Sequence, residues 1–159
     1  MAGQVPNVCA GPFGAFYDFY VERPRLMGAI GRLIWGIDAS VLYQAMKPIG
    51  EAGSGAVIGD VPCGGGVAFR ALAPDQNVRY LAADLCPKVV RRARRRAAKR
   101  SLQQVEVVKA DMLNLPYGDS EFDIFTSFSG LNWMNDAGLD NPTIGPEPGF
   151  TYFEATKPA

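Results

Sequence analysis

The chain has 159 residues, 48% of them hydrophobic and 20% charged, which is enough apolar material for one domain with its own core. Histidine is absent, which excludes a Ser-His or Cys-His nucleophile and a histidine-held zinc, and the three cysteines, Cys9, Cys63 and Cys86, lack the paired close spacing of a metal site. Formal charge is zero but uneven: residues 1–100 carry fourteen Lys and Arg against seven Asp and Glu, residues 101–159 carry two against nine, and half of all cations fall within residues 88–100, an asymmetry that keeps a nucleic-acid surface in play.

Residues 1–12 read as an irregular lead. They lack a signal-peptide pattern, and no apolar run reaches the eighteen or so residues that span a bilayer, so the expectation is a soluble, cytoplasmic protein without a membrane span. Phe13, Phe16, Tyr17, Phe19 and Tyr20 then crowd aromatic groups ahead of Pro24, and Leu26, Ile30, Leu33 and Ile34 continue at helical spacing. Asp38 or Ser40 is placed to cap a further helix through Val41, Leu42, Ala45 and Met46, which Pro48 interrupts. Residues 1–52 form a helical prelude, and aromatic stripes of this kind mostly serve the core.

Gly53-Ser54-Gly55 releases the chain into a first strand at residues 56–61, with Asp60 near its carboxyl end. Pro62-Cys63-Gly64-Gly65-Gly66 follows, then a predicted helix over residues 67–73. A strand that breaks on glycine into a helix is a ligand cradle, because a missing Cβ lets the backbone turn sharply and lets a ligand lie against it. A dinucleotide fingerprint starting at Gly64 needs a glycine where Phe69 stands, and no glycine is followed by lysine, so pyrophosphate and triphosphate loops are both disfavoured.

A second strand, residues 78–83, ends on Asp84, eighteen residues past Gly66 and near the spacing at which a carboxylate accepts hydrogen bonds from a ribose. Asp84 also suits a helix cap, since Pro87 sits where a first-turn proline belongs. Residues 88–100 form a cationic helix with Val90, Ala93 and Ala97 as its apolar stripe and its arginines outward; no aromatic residue interleaves to stack bases. A third strand, residues 105–110, ends on Asp111, with Met112 placed to give apolar contact to a base. Residues 122–128 read as a fourth strand, apolar on both faces like a buried parallel strand. Residues 136–159 hold four prolines and three glycines and form an irregular tail.

Asp60 ahead of a glycine-rich turn resembles the first motif of class I S-adenosylmethionine-dependent methyltransferases (type 11/25-like), with Gly64 and Gly66 on its pattern and Pro62 in place of its first glycine. Asp111, Leu115-Pro116 and Phe122-Asp123 match a later stretch of the same family in order. The resemblance covers about residues 55–135, and residues 53–135 are expected to be the cofactor-binding core. It implies an α/β fold, a Rossmann-like, mostly parallel open sheet with strands 3-2-1-4 present, later strands missing and helices at the N-terminus.

It further implies S-adenosyl-L-methionine as cofactor, held by Asp60, Pro62, Cys63, Gly64, Gly65, Gly66, Asp84, Leu85, Asp111, Met112 and Ser127. Asp60 would take the charged end, Asp84 the ribose and Asp111 the adenine amino group. N-terminal helices of the family often fold over the cofactor, which makes Tyr17 and Tyr20, with Asn132, the catalytic candidates. The expected acceptor is a small molecule or lipid. Two alternatives stay open: a shortened, non-catalytic methyltransferase-like subunit that pairs as a homo- or hetero-dimer through its open sheet edge, and an RNA methyltransferase using residues 88–100.

Overall fold

The computed structural model describes residues 40–118 and 120–128. Tyr17, Tyr20, Asn132, the greater part of the prelude and the tail lie outside the described residues. Two short helices open them, α1 (Ser40–Ala45) and α2 (Lys47–Gly50). Pro48 occupies the first turn of α2, where its missing N–H leaves no helical bond unmade. Gln76 Nε2 donates to the Ile49 carbonyl at 2.8 Å, tying α2 to the loop before the second strand.

Four strands follow: β1 (Val57–Asp60), β2 (Arg79–Asp84), β3 (Val105–Lys109) and β4 (Ile124–Thr126). They form one sheet in the order β3-β2-β1-β4, every pair parallel, which is the order expected. A 13-residue helix, α3 (Pro87–Lys99), makes the crossover from β2 to β3. In this order the chain steps from β1 through β2 to β3 and then returns to the far side of β1. The crevice at the carboxyl ends of β1 and β4 is therefore the switch point at which open parallel sheets bind ligands.

The helix expected at residues 67–73 is instead a 3-10 turn, Val67–Ala71. Its bonds run Phe69 N to Gly66 O and Leu72 N to Phe69 O, both 3.2 Å. Between the left-handed Gly66 and Leu72, which is already extended, too few residues remain to nucleate an α-helix.

One face of the sheet carries the core. Ile58, Tyr80, Ala82 and Val107 pack there against Phe69 and Leu72, against Val90, Ala93 and Ala97 of α3, and against Met46 and Ile49. α3 buries its expected stripe and Val89 as well; alanine at 93 and 97 leaves room for it to lie close on the sheet. On the opposite face a Cβ at Gly59 would lie 2.7 Å from Phe125 and 2.9 Å from Phe122, so glycine is what admits these two rings, packed edge-on at 5.3 Å.

Two expectations are corrected here. The fourth strand is three residues long and half-buried, where seven buried residues were expected. It is the outer strand of the described sheet, Phe122 turns back onto Gly59, and Asp123 brackets the start of β1 by accepting from Val57 N–H at 2.8 Å and donating to Val57 O at 2.9 Å. The arginines of α3 do not all point outward either. Arg94 donates from Nε and Nη2 to the Val107 carbonyl at 3.0 and 2.8 Å, covering the outer edge of β3. Among the described residues no helix is long and apolar enough to cross a membrane.

Candidate functional site

The parallel register sets the geometry of the three acids. Asp60 is level with Ala82, and Ala82 is level with Val107. Asp84 lies two residues beyond that level and Asp111 four, at about 3.3 Å per residue. All three stand at the carboxyl edge, stepping outward from sheet floor to rim. Their exposure follows: Asp60 is 1% exposed, Asp84 half-buried and Asp111 exposed.

The glycine turn is hooked onto the middle step. Gly64 and Gly66 have φ of +53° and +78°, the left-handed region that glycine enters without cost. Gly64 N–H donates to Asp84 Oδ2 at 3.1 Å, and Cys63 N–H donates to the Ala83 carbonyl at 2.8 Å. A Cβ at Gly64 would meet nothing within 4 Å, so this part of the turn is open; a Cβ at Gly66 would lie 2.4 Å from the Phe69 ring, so that part is closed by packing. Phe69, the residue that disfavours a dinucleotide fingerprint, is fully buried over Gly66.

Asp84 Oδ1 accepts from Cys86 N–H at 2.8 Å. The N-cap of α3 is Cys86, without a side-chain bond, so Asp84 does not cap the helix directly; it fixes the residue that does. An ionised carboxylate has about four acceptor positions, so one on each oxygen is left for a ligand's hydroxyl groups. Burial pushes the Asp84 carboxyl above its usual range, opposed by the Cys86 and Gly64 N–H groups and by Arg92.

Asp60 is enclosed. Its Oδ2 accepts from the Tyr80 hydroxyl at 3.0 Å, and neither side chain has a solvent-facing surface of any size. Burial raises its carboxyl from 3.8 to about 7; the Tyr80 hydroxyl lowers it, the Asp84 charge raises it and the Thr126 hydroxyl lowers it. Burial likewise pushes the Cys63 thiol and the Tyr80 phenol up, so neither ionises near neutrality.

Asp111 forms a local turn, its Oδ1 accepting from Leu113 N–H at 3.0 Å. No described bond joins it to Asp60 or Asp84. Beside these acids stand the two large apolar side chains that are exposed among the described residues, Leu85 at 39% and Leu113 at 67%, with Met112 half-buried. Ser127, the residue after β4, is 6% exposed, and among the described residues its Oγ has no hydrogen-bond partner. An orphaned buried hydroxyl at the switch point is an unmet demand for a bond. Pro62 is half-buried and Gly65 buried within the turn.

Sequence reasoning passed over Tyr80, Thr126 and Leu113. Tyr80 was accessible through the period of two that puts it on the face of Ala82 and Asp84; its pairing with Asp60 depends on register, which no local signal supplies. A separate cavity of about 320 Å3, lined by Tyr43, Met46, Lys47, Gly50, Glu51, Arg70 and Ala71, lies against α1 and α2, away from the acids.

A family model described as a methyltransferase domain matches residues 58–141, more than half of the chain. The chain belongs to this methyltransferase-domain family. Among solved structures, a candidate exported protein from Bordetella parapertussis has 19% identity and a TM-score of 0.53, over 72% of this chain and 42% of that one. A candidate methyltransferase from Bacillus halodurans has 30% identity and a TM-score of 0.46, over 53% and 36%. A candidate S-adenosyl-L-methionine-dependent methyltransferase from Methanococcus maripaludis has 20% identity and a TM-score of 0.49, over 72% and 52%. No curated protein matches the chain. The methyltransferase domain here thus spans between about a third and a half of the length of these solved proteins.

The residues at the carboxyl edge suit the nucleoside part of the cofactor that the family implies. Asp84 keeps acceptor positions, Gly64 is open, Ser127 lacks a partner, and Leu85 and Leu113 offer apolar surface beside the acids. Asp60 differs: at 1% exposure it has no surface for direct contact with a ligand.

Proposed function

We propose that the chain binds S-adenosyl-L-methionine at the carboxyl edge of β1, β2, β3 and β4 and serves methyl transfer to a small-molecule or lipid acceptor. The observation that carries this reading is the bond from Gly64 N–H to Asp84 Oδ2, which makes the open backbone turn and the hydroxyl acceptor one rigid unit. Asp84 would hold the ribose, Leu85, Met112 and Leu113 would face the base, Asp111 would accept from its amino group, and Ser127 would complete the wall on the β4 side.

When bound, the cofactor supplies an electrophilic methyl on a sulfonium, so the protein's contribution is placement more than proton transfer. With no histidine in the chain and Asp60 shut away from solvent, a general base would have to be another carboxylate or a tyrosine, unless the acceptor needs none. The aromatic prelude, with Tyr17 and Tyr20, favours an apolar acceptor over a polyanion. Two of the eight cations in residues 88–100 bond backbone carbonyls, Arg94 to Val107 and Arg100 to Arg70, which further weakens a nucleic-acid reading.

Isothermal calorimetry with S-adenosylhomocysteine tests the proposal. Wild-type protein is expected to bind, and Asp84→Ala to lose about tenfold to a hundredfold in affinity, since each charge-assisted bond contributes roughly 1.5–3 kcal/mol. Absence of binding, or equal binding by Asp84→Ala, contradicts it.

A further inference from the structure

Tyr80, the second residue of β2, is fully buried and bears a hydroxyl, although a phenylalanine would fill the same space. That hydroxyl donates to Asp60 Oδ2 across the neighbouring strand at 3.0 Å. The Tyr80 ring is held in turn by Phe69, edge-on with centroids 5.4 Å apart, and Phe69 is the ring that closes against Gly66. Asp60, Tyr80, Phe69 and Gly66 therefore form one contiguous chain of contacts from the floor of the sheet to the glycine turn. Buried polar pairs are kept at a cost in desolvation, so a Tyr80–Asp60 pair standing where two apolar side chains could pack calls for a role.

We infer that Tyr80 is a positioning residue of the cradle, its hydroxyl fixing the Asp60 carboxyl beneath the glycine turn without touching a ligand. The inference rests on the proposed cofactor reading and assigns to Asp60 an action through the floor of the site, in place of direct contact. Among the described residues, the groups facing Asp60 are Tyr80 and Asp84 from β2, the Cys63 thiol from the turn and the Thr126 hydroxyl from β4. Of these, the hydroxyls favour the charged carboxylate, and Asp84 opposes it. The Thr126 hydroxyl donates to the Gly59 carbonyl at 3.0 Å, so removing the Tyr80 O–H takes away the hydroxyl that donates to Asp60, and the Asp60 titration moves to higher pH. A buried carboxylate strengthens the hold of the site on a cationic ligand, and the affinity falls as pH drops through the Asp60 titration near 7.

The test uses the full chain as wild type, Tyr80→Phe, Asp60→Asn and the double variant. Tyr80→Phe keeps the ring, and thermal melts establish that each variant is folded at the temperature used. The carbon chemical shift of the Asp60 carboxyl, assigned by its loss in Asp60→Asn, is followed by NMR from pH 5 to 9. The expected midpoint is near 7 in wild type and at least half a unit higher in Tyr80→Phe. Calorimetry with S-adenosyl-L-methionine, which carries the sulfonium charge, is expected over the same range to show affinity rising with pH in wild type, that profile displaced upward in Tyr80→Phe, and a flat profile in Asp60→Asn that the second substitution leaves unchanged.

An unmoved midpoint in Tyr80→Phe overturns the inference, whether or not the ligand binds. Failure of wild type to bind overturns the cofactor reading and leaves the midpoint to decide the Tyr80–Asp60 assignment. A displaced midpoint with identical binding profiles in wild type and Tyr80→Phe overturns the role in the cradle.

Discussion

Asp60 makes the protein's stability depend on pH in a direction unusual for a carboxylate. Its folded value of about 7 lies above its ordinary 3.8, so between those limits the folded state holds a proton that the unfolded chain has released, and stability falls as pH rises. The full difference is on the order of 4 kcal/mol, at 1.36 kcal/mol per unit. Asp60→Asn, which keeps an acceptor for the Tyr80 hydroxyl, removes this dependence: its melting temperature should exceed that of wild type at pH 8 and match it near pH 4. A wild-type advantage at pH 8 contradicts the burial argument. The turn glycines separate in the same way. Gly66→Ala meets both a left-handed φ and the Phe69 ring and should cost about 2–5 kcal/mol in urea unfolding, whereas Gly64→Ala, strained but in open space, should cost about 1–2 kcal/mol. At this scale Asp60, Asp84 and Asp111 were legible in the sequence as strand ends, because an acid after an apolar run is a local signal. That Asp60 sits at the floor and Asp111 at the rim was not, because burial depends on how the strands are staggered.

Between elements, the outer edge of β3 is, among the described residues, covered by a side chain and not by another strand. Arg94 places two donors on the Val107 carbonyl, and α3 is thereby clamped to the strand it leads into. Arg94→Met retains the apolar stem and loses both bonds; it should cost about 1–3 kcal/mol and speed hydrogen exchange across β3 more than across β1. Uniform change over the sheet would mean that the clamp is not local. Residues 88–100 revealed their helix and its apolar stripe, since Val90, Ala93 and Ala97 recur at helical spacing. They did not reveal which arginine faces the sheet, because cations on neighbouring turns are alike until the crossover is folded. The 3-10 turn at Val67–Ala71 was misread as a helix for a related reason: its residues have adequate propensity, but Gly66 and Leu72 leave it no length.

For the molecule as a whole, the strand order places the return of the chain beside β1, and this makes one edge of the sheet the ligand edge. The order itself came from the resemblance carried by Asp60, the glycine turn and Phe122-Asp123; no periodicity in the strands encodes it. The switch point gathers Gly64, Asp84 and Ser127 on described elements, with Leu85, Asp111 and Leu113 on the β2 and β3 side of the same edge. Asp60 completes the edge from below through Tyr80. One two-dimensional NMR titration of the labelled chain with S-adenosylhomocysteine tests this arrangement most directly. The account predicts saturable shifts concentrated in the amides of Gly64, Gly66, Leu85, Met112 and Ser127. Shifts centred on Tyr43, Lys47 and Arg70, or none at all, would contradict it.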